Sequence, residues 1–175
     1  MKPRLSRVLF AGVALALTSQ AQAATVTGVI NATLTLIASC QVNGSTATSG
    51  VNFGALNFGT QNALFTQASG QVQSGGAAIS VLCSKGAIPV IKVGLGSHDG
   101  ASTGGTRSLS DGTNFVPYDF YTDAGTSTLL PINGTITLPT STGVAQTVDL
   151  YGKAVGKAGL PPGVYTDTVA VELSF

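Results

Sequence analysis

Val26-Thr27-Gly28-Val29-Ile30-Asn31-Ala32-Thr33-Leu34-Thr35-Leu36 places an apolar or small residue at every even position and a polar one at most odd positions. Successive side chains of a strand point to opposite faces. Val26, Gly28, Ile30, Ala32, Leu34 and Leu36 therefore form one stripe that requires an apolar surface to cover it. Gly28 leaves a gap in that stripe, and a missing side chain at an inward position lets a backbone pass over something bulky. The far end of the chain has the same rhythm, with Val169, Val171, Leu173 and Phe175 on one face. A chain with a spare strand at one end and an apolar strand at the other is expected to join other chains. The alternative is an ordinary first strand that pairs within its own domain.

Ahead of this stretch, Lys2, Arg4 and Arg7 precede an uncharged run from Val8 to Leu17, and Ala21-Gln22-Ala23 follows. Basic, apolar and small-x-small segments in that order read as a cleaved secretion signal, and the apolar run is too short to span a bilayer. Residues 1–23 are thus expected to be a signal peptide, which leaves about 150 residues, enough for one domain with a real core. Charged residues make up 9% of the chain, against roughly 25% in ordinary soluble domains. The surface must then be Thr, Ser, Asn, Gln and Gly, or be covered in part by neighbours. Acidic side chains slightly outnumber basic ones after residue 23. With no clustered basic face, nucleic acid is not an expected partner. Cys40 and Cys83 both follow the signal, and an exported chain meets an oxidising compartment, so a Cys40–Cys83 disulfide is expected. Without a Cys-x-x-Cys, and with His98 as the single histidine, no metal or redox centre is expected.

Beyond the first stripe, short β-branched or aromatic runs alternate with turn clusters. The strand candidates are Val51 to Phe58, Ala77 to Ser84, Pro89 to Leu95, Phe115 to Thr122, Thr128 to Leu138, Gln146 to Lys153 and Val164 to Phe175. Asn43-Gly44, Asp111-Gly112, Asn133-Gly134 and Pro161-Pro162-Gly163 supply the turns between them. No stretch has a sustained helical period with caps. The class is therefore all-β, and seven or so strands with an inter-strand disulfide fit a two-sheet sandwich of immunoglobulin-like type, with an up-and-down barrel as the alternative. Ser97 to Thr113, rich in turn residues, is the expected mobile loop.

Catalytic constellations are missing from the pattern. His98 lies in Gly96-Ser97-His98-Asp99-Gly100 with no ordered nucleophile in sequence reach and reads as an exposed loop residue. Gly94-Leu95-Gly96 lacks the Lys-Ser/Thr and the helix of a phosphate loop and reads as a strand end. In Tyr118-Asp119-Phe120-Tyr121-Thr122-Asp123, the side chains of Asp119, Tyr121 and Asp123 share one face, expected to be solvated. Paired carboxylates perform acid–base chemistry only in a pocket with matched pKa values. No enzyme activity, cofactor or small-molecule substrate is expected.

These residues together resemble the spore coat protein U domain family, the pilin subunits of archaic, Csu-type chaperone–usher pili. The resemblance runs through the N-terminal alternation up to Cys40, Phe53-Gly54-Ala55-Leu56-Asn57-Phe58-Gly59 and Ile79-Ser80-Val81-Leu82-Cys83. It continues through Tyr118 to Asp123 and through Gly163-Val164-Tyr165-Thr166-Asp167 with the alternation to Phe175. It implies an incomplete immunoglobulin-like β-sandwich that lacks its last strand. A periplasmic chaperone and then the N-terminal segment of the next subunit would fill the gap. The chain then divides into a signal peptide (1–23), a donor strand segment (24–36) and a pilin domain (37–175). Val26, Gly28, Ile30, Ala32, Leu34 and Leu36 become the donor stripe. Val169, Val171, Leu173 and Phe175 become the edge of the acceptor groove.

The function implied is a structural pilus-shaft subunit that polymerises head to tail and supports surface attachment and biofilm formation. Its partners would be identical or related pilins, the chaperone and an outer-membrane usher, and its destination the cell surface. A minor, adaptor or tip adhesin-type binding module of the same fibre is the alternative. A tip adhesin is expected to carry a further receptor domain and need not donate a strand.

Overall fold

The computed structural model describes residues 24–175, and the expected secretion signal lies outside the described residues. Contacts divide the chain between Thr35 and Leu36. Residues 24–35 carry no regular secondary structure and are exposed throughout, Val26 and Ile30 to 98%. The first strand begins only at Cys40.

From Leu36 onward the fold is all-β, and every strand pairing is antiparallel. One sheet orders β1 (Cys40–Val42), β4 (Ile79–Cys83) and β10 (Gln146–Val148). A second orders β2 (Ala55–Leu56), β3 (Gln67–Gln73), β11 (Tyr151–Val155), β7 (Phe115–Tyr121) and β6 (Arg107–Ser110), and β8 (Leu129–Leu130) also pairs with β7. A third orders β12 (Val171–Ser174), β5 (Val90–Val93) and β9 (Gly134–Thr137). Among the described residues there is no helix, and so none long and apolar enough to cross a membrane.

Alternation explains how the sheets close on one core. In β4, Ile79, Val81 and Cys83 are buried while Ser80 and Leu82 are half-exposed, the period-two signature of a strand with one covered face. Val148 of β10, Ile91 and Val93 of β5, and Val116, Tyr118 and Phe120 of β7 point into the same cluster. Cys40 and Cys83 lie directly opposite each other in the β1–β4 ladder and form the disulfide. At a sequence separation of 43, the crosslink stabilises the fold by about 4 kcal/mol in the chain-entropy account.

Several expected strands divide. Gln146 to Lys153 is two strands in two sheets, because the chain crosses at Asp149–Leu150 and the Leu150 carbonyl accepts from Val72 N at 2.8 Å. Thr128 to Leu138 breaks at Asn133, whose φ of 62° no strand tolerates. The expectation of a mobile loop over Ser97–Thr113 fails at its centre. Arg107 and Ser108 are fully buried in β6, which pairs with β7.

An open apolar cleft

Across the β12–β5 ladder, Val171 faces Val93 and Leu173 faces Ile91. Val93 and Ile91 are 0% and 1% exposed, yet Val171 and Leu173, on the same face, are only half-buried. The difference is a missing neighbour. β5 has β12 on one edge and β9 on the other, whereas β12 has no partner beyond β5 among the described residues. β2 likewise ends its own sheet, paired only with β3.

These two edges border an open cleft of about 410 Å³. Its apolar lining comes from Val51, Phe53 and Leu56 on the β2 side and from Val169 and Val171 on the final strand. Val72, Ile91, Val93, Tyr118, Phe120 and Leu150 contribute side chains from the core. A second opening of about 760 Å³ adjoins it, sharing Ala55, Leu56, Phe58 and Leu109 and bordered by residues 57–63 and 160–165. Among the described residues, Asp167 is the single charged side chain along either opening. Of the residues expected at the groove edge, Val169 and Val171 line the cleft and Leu173 packs on the core beside it. Phe175 follows the last paired residue and is 56% exposed.

Polar groups gather at the β7 side of the cleft. Tyr118 OH donates to Asp167 Oδ2 at 2.8 Å. Burial, and then that bond, push the Tyr118 phenol far above its ordinary 10.0, so it stays protonated. Arg107 Nη2 donates to the carbonyls of Val93 (3.3 Å) and Gly94 (2.9 Å), and its guanidinium lies 5.1 Å from the Phe120 ring centre. Burial draws the Arg107 pKa below 12.5, opposed in part by the charges of Asp99, Asp119 and Asp167. His98, expected as an exposed loop residue, is half-buried, with Nδ1 3.4 Å from Asp167 Oδ1.

The expected solvated face of Asp119, Tyr121 and Asp123 is instead engaged. Asp119 Oδ1 accepts from Thr106 N (2.8 Å) and Oγ1 (2.6 Å), and Lys153 Nζ sits 4.9 Å over the buried Tyr121 ring. Asp123 accepts from Thr128 N at 2.6 Å and from Ser127 N and Oγ. Those bonds, the Thr128 amide foremost, hold its carboxyl down at about 2. These carboxylates tie turns and strands together, with donors already assigned. Among the described residues no three His, Cys, Asp or Glu side chains group as metal ligands would.

A Spore Coat Protein U domain model matches residues 26–172, and the chain belongs to that family. Among solved structures, the chain is similar to one in the crystal structure of the CsuC-CsuE chaperone–tip adhesion subunit pre-assembly complex, from archaic chaperone–usher Csu pili of Acinetobacter baumannii. Sequence identity is 18% and the TM-score 0.47; the match covers 81% of this chain and 40% of that one, so this chain spans under half the length of its neighbour. No curated protein sequence matches.

Proposed function

We propose that the protein is a structural subunit of a surface fibre, a pilus of the chaperone–usher kind, in which residues 26–36 of one copy fill the open cleft of the next. The observation that carries this reading is a pair of unmet needs in one chain. The cleft leaves apolar side chains at Val51, Phe53, Leu56, Val169 and Val171 only partly covered beside strand edges with free backbone groups, a combination that favours pairing with an added strand. The N-terminal segment carries an apolar stripe with nothing covering Ile30 or Leu34. Residues 24–36 carry no charge, as a nearly uncharged cleft requires.

Burying Ile30, Leu34 and Leu36 contributes about 1.5–3 kcal/mol each, on the order of 5–10 kcal/mol together. One donor and one acceptor per copy make a heterologous contact that does not close, which generates a filament. The reading takes as further partners a periplasmic chaperone that covers the cleft before assembly and an outer-membrane usher, and membership of the family supports it. It takes the cell surface as the destination, with attachment and biofilm formation as the outcome.

The test is a denaturing gel of exported material, unboiled and boiled. A ladder that collapses to monomer on heating is expected. Ile30→Asp should reduce the ladder about a hundredfold, because about 3 kcal/mol of burial and desolvation is lost at the joint. An undiminished ladder from Ile30→Asp, or a wild-type protein that is always monomeric, overturns the reading.

A further inference from the structure

The inward face of the final strand is apolar at Val169, Val171 and Leu173, yet one turn of the alternation earlier it carries Asp167, whose side chain is 1% exposed. A carboxylate so deep is tolerated only where donors meet it. Three elements supply or shape that environment. From β7, Tyr118 OH donates to Oδ2; from the turn after β5, Ser97 N donates to Oδ1 at 2.8 Å and His98 lies alongside. Gly96 makes the space, since a β-carbon there would overlap the Asp167 carboxylate. Arg107 of β6 holds the same turn from beneath through the Val93 and Gly94 carbonyls.

Asp167 sits at a crossing. Just before it, Thr166 exchanges backbone hydrogen bonds with Ser110 of β6 in the second sheet; just after it, Ala170 bonds to Gly94 and Leu95 beside the third. Between those anchors residues 167–169 have no outer strand beside them among the described residues, and an apolar cleft has a drive to collapse, because an unfilled void forfeits packing contacts. Val169 and Val171 could move inward to fill it. A buried carboxylate cannot follow without leaving its donors.

We infer that Asp167 is a positioning residue of the cleft: held by Tyr118 and Ser97, it fixes the crossing that leads into β12 so that Val169 and Val171 stay at the cleft's edge, half-buried, and the cleft stays open to an incoming strand. The inference rests on the strand-capture reading above. It also assigns a purpose to Gly96, which the sequence reading took only as part of a strand end.

The test uses the mature chain carrying Ile30→Asp, so that its own copies leave the cleft empty, and a fluorescent synthetic peptide of residues 24–37 as probe. Capture is followed by anisotropy, and the urea midpoint of each protein is measured alongside. Tyr118→Phe, which deletes one hydroxyl, should slow capture about tenfold. Asp167→Asn should slow it similarly, and the double variant no further. Should Tyr118→Phe fail to fold, Asp167→Asn and Gly96→Ala read out the same contact. Val81→Ala, a core truncation in β4 that does not line the cleft, should lower the urea midpoint and leave capture unchanged. Wild-type capture rates in Tyr118→Phe and Asp167→Asn overturn the positioning role and leave strand capture standing. Equal slowing by Val81→Ala also overturns it, by reducing the effect to general stability. No capture by any protein, the parent included, brings down the strand-capture reading and this inference with it.

Discussion

The N-terminal segment and the final strand are written in the same period-two code and meet different fates. In Val26–Leu36 the stripe is bare: Ile30 is 98% exposed and Leu34 83%. In Val169–Leu173 the stripe is half-covered, because β5 supplies one neighbour and, among the described residues, no strand supplies the other. Alternation alone thus marks which side chains seek cover and says nothing of where the cover lies. The contrast within the β12–β5 ladder shows how much a neighbour contributes. Val93 and Val171 are directly opposite, chemically identical and on one face, yet one is sealed and the other is not.

Truncation on the two sides of that ladder is the strongest way to probe the comparison. Ile91→Ala should cost about 2–4 kcal/mol, a cavity in a sealed site. Val171→Ala should cost about 1 kcal/mol in subunits with an empty cleft and roughly twice that once the cleft is filled, because only then is its side chain fully buried. Urea unfolding of the chain carrying Ile30→Asp, with and without added 24–37 peptide, measures both. Equal costs in the two states would mean that the added strand does not cover β12.

Charge placement sharpens the N-terminal side. Val29→Asp, on the odd face, should change the unboiled ladder by no more than about twofold, against about a hundredfold for Ile30→Asp. Equal losses would show that the segment acts without a buried face. Gly28→Leu should lower assembly about tenfold, since a bulky residue would meet cleft side chains where the stripe now has a gap. Normal assembly of this variant would show that Gly28 faces open space.

The smallest effect concerns acid. Asp123 is held at about 2, below its ordinary 3.8, so the turn it caps is stabilised above pH 3.8 and loses that support as the pH falls through about 2. Amide hydrogen exchange at Ser127 and Thr128 should accelerate across that window in the wild type. Asp123→Asn should show fast exchange already at pH 5.

Much of the fold was legible before the structure. β4, β5 and β7 sit inside the runs expected for them, because each carries a dense alternation of branched or aromatic residues. β3 and β6 were hidden for the opposite reason. Gln67–Gln73 has little apolar content, and Arg107–Ser110 is buried through an arginine and serines. Both are recruited by their sheet neighbours: β3 lies between β2 and β11, and β6, at the end of that sheet, takes its register from β7. Of the cleft, the Val169–Val171 side was readable as a stripe. The Val51–Leu56 side was readable only as a strand, because nothing local says that it ends a sheet.

What the sequence determined by itself is whatever a side chain carries to its neighbours along the chain. That includes the two apolar stripes, the turns and the all-β class. The tertiary structure alone decided which edges stay unpaired and which distant polar groups meet. Tyr118 and Asp167 are 49 residues apart yet bond at 2.8 Å, and no local pattern encodes that meeting. An open edge is a property of the sheet order, and sheet order emerges only when every strand has competed for its neighbours.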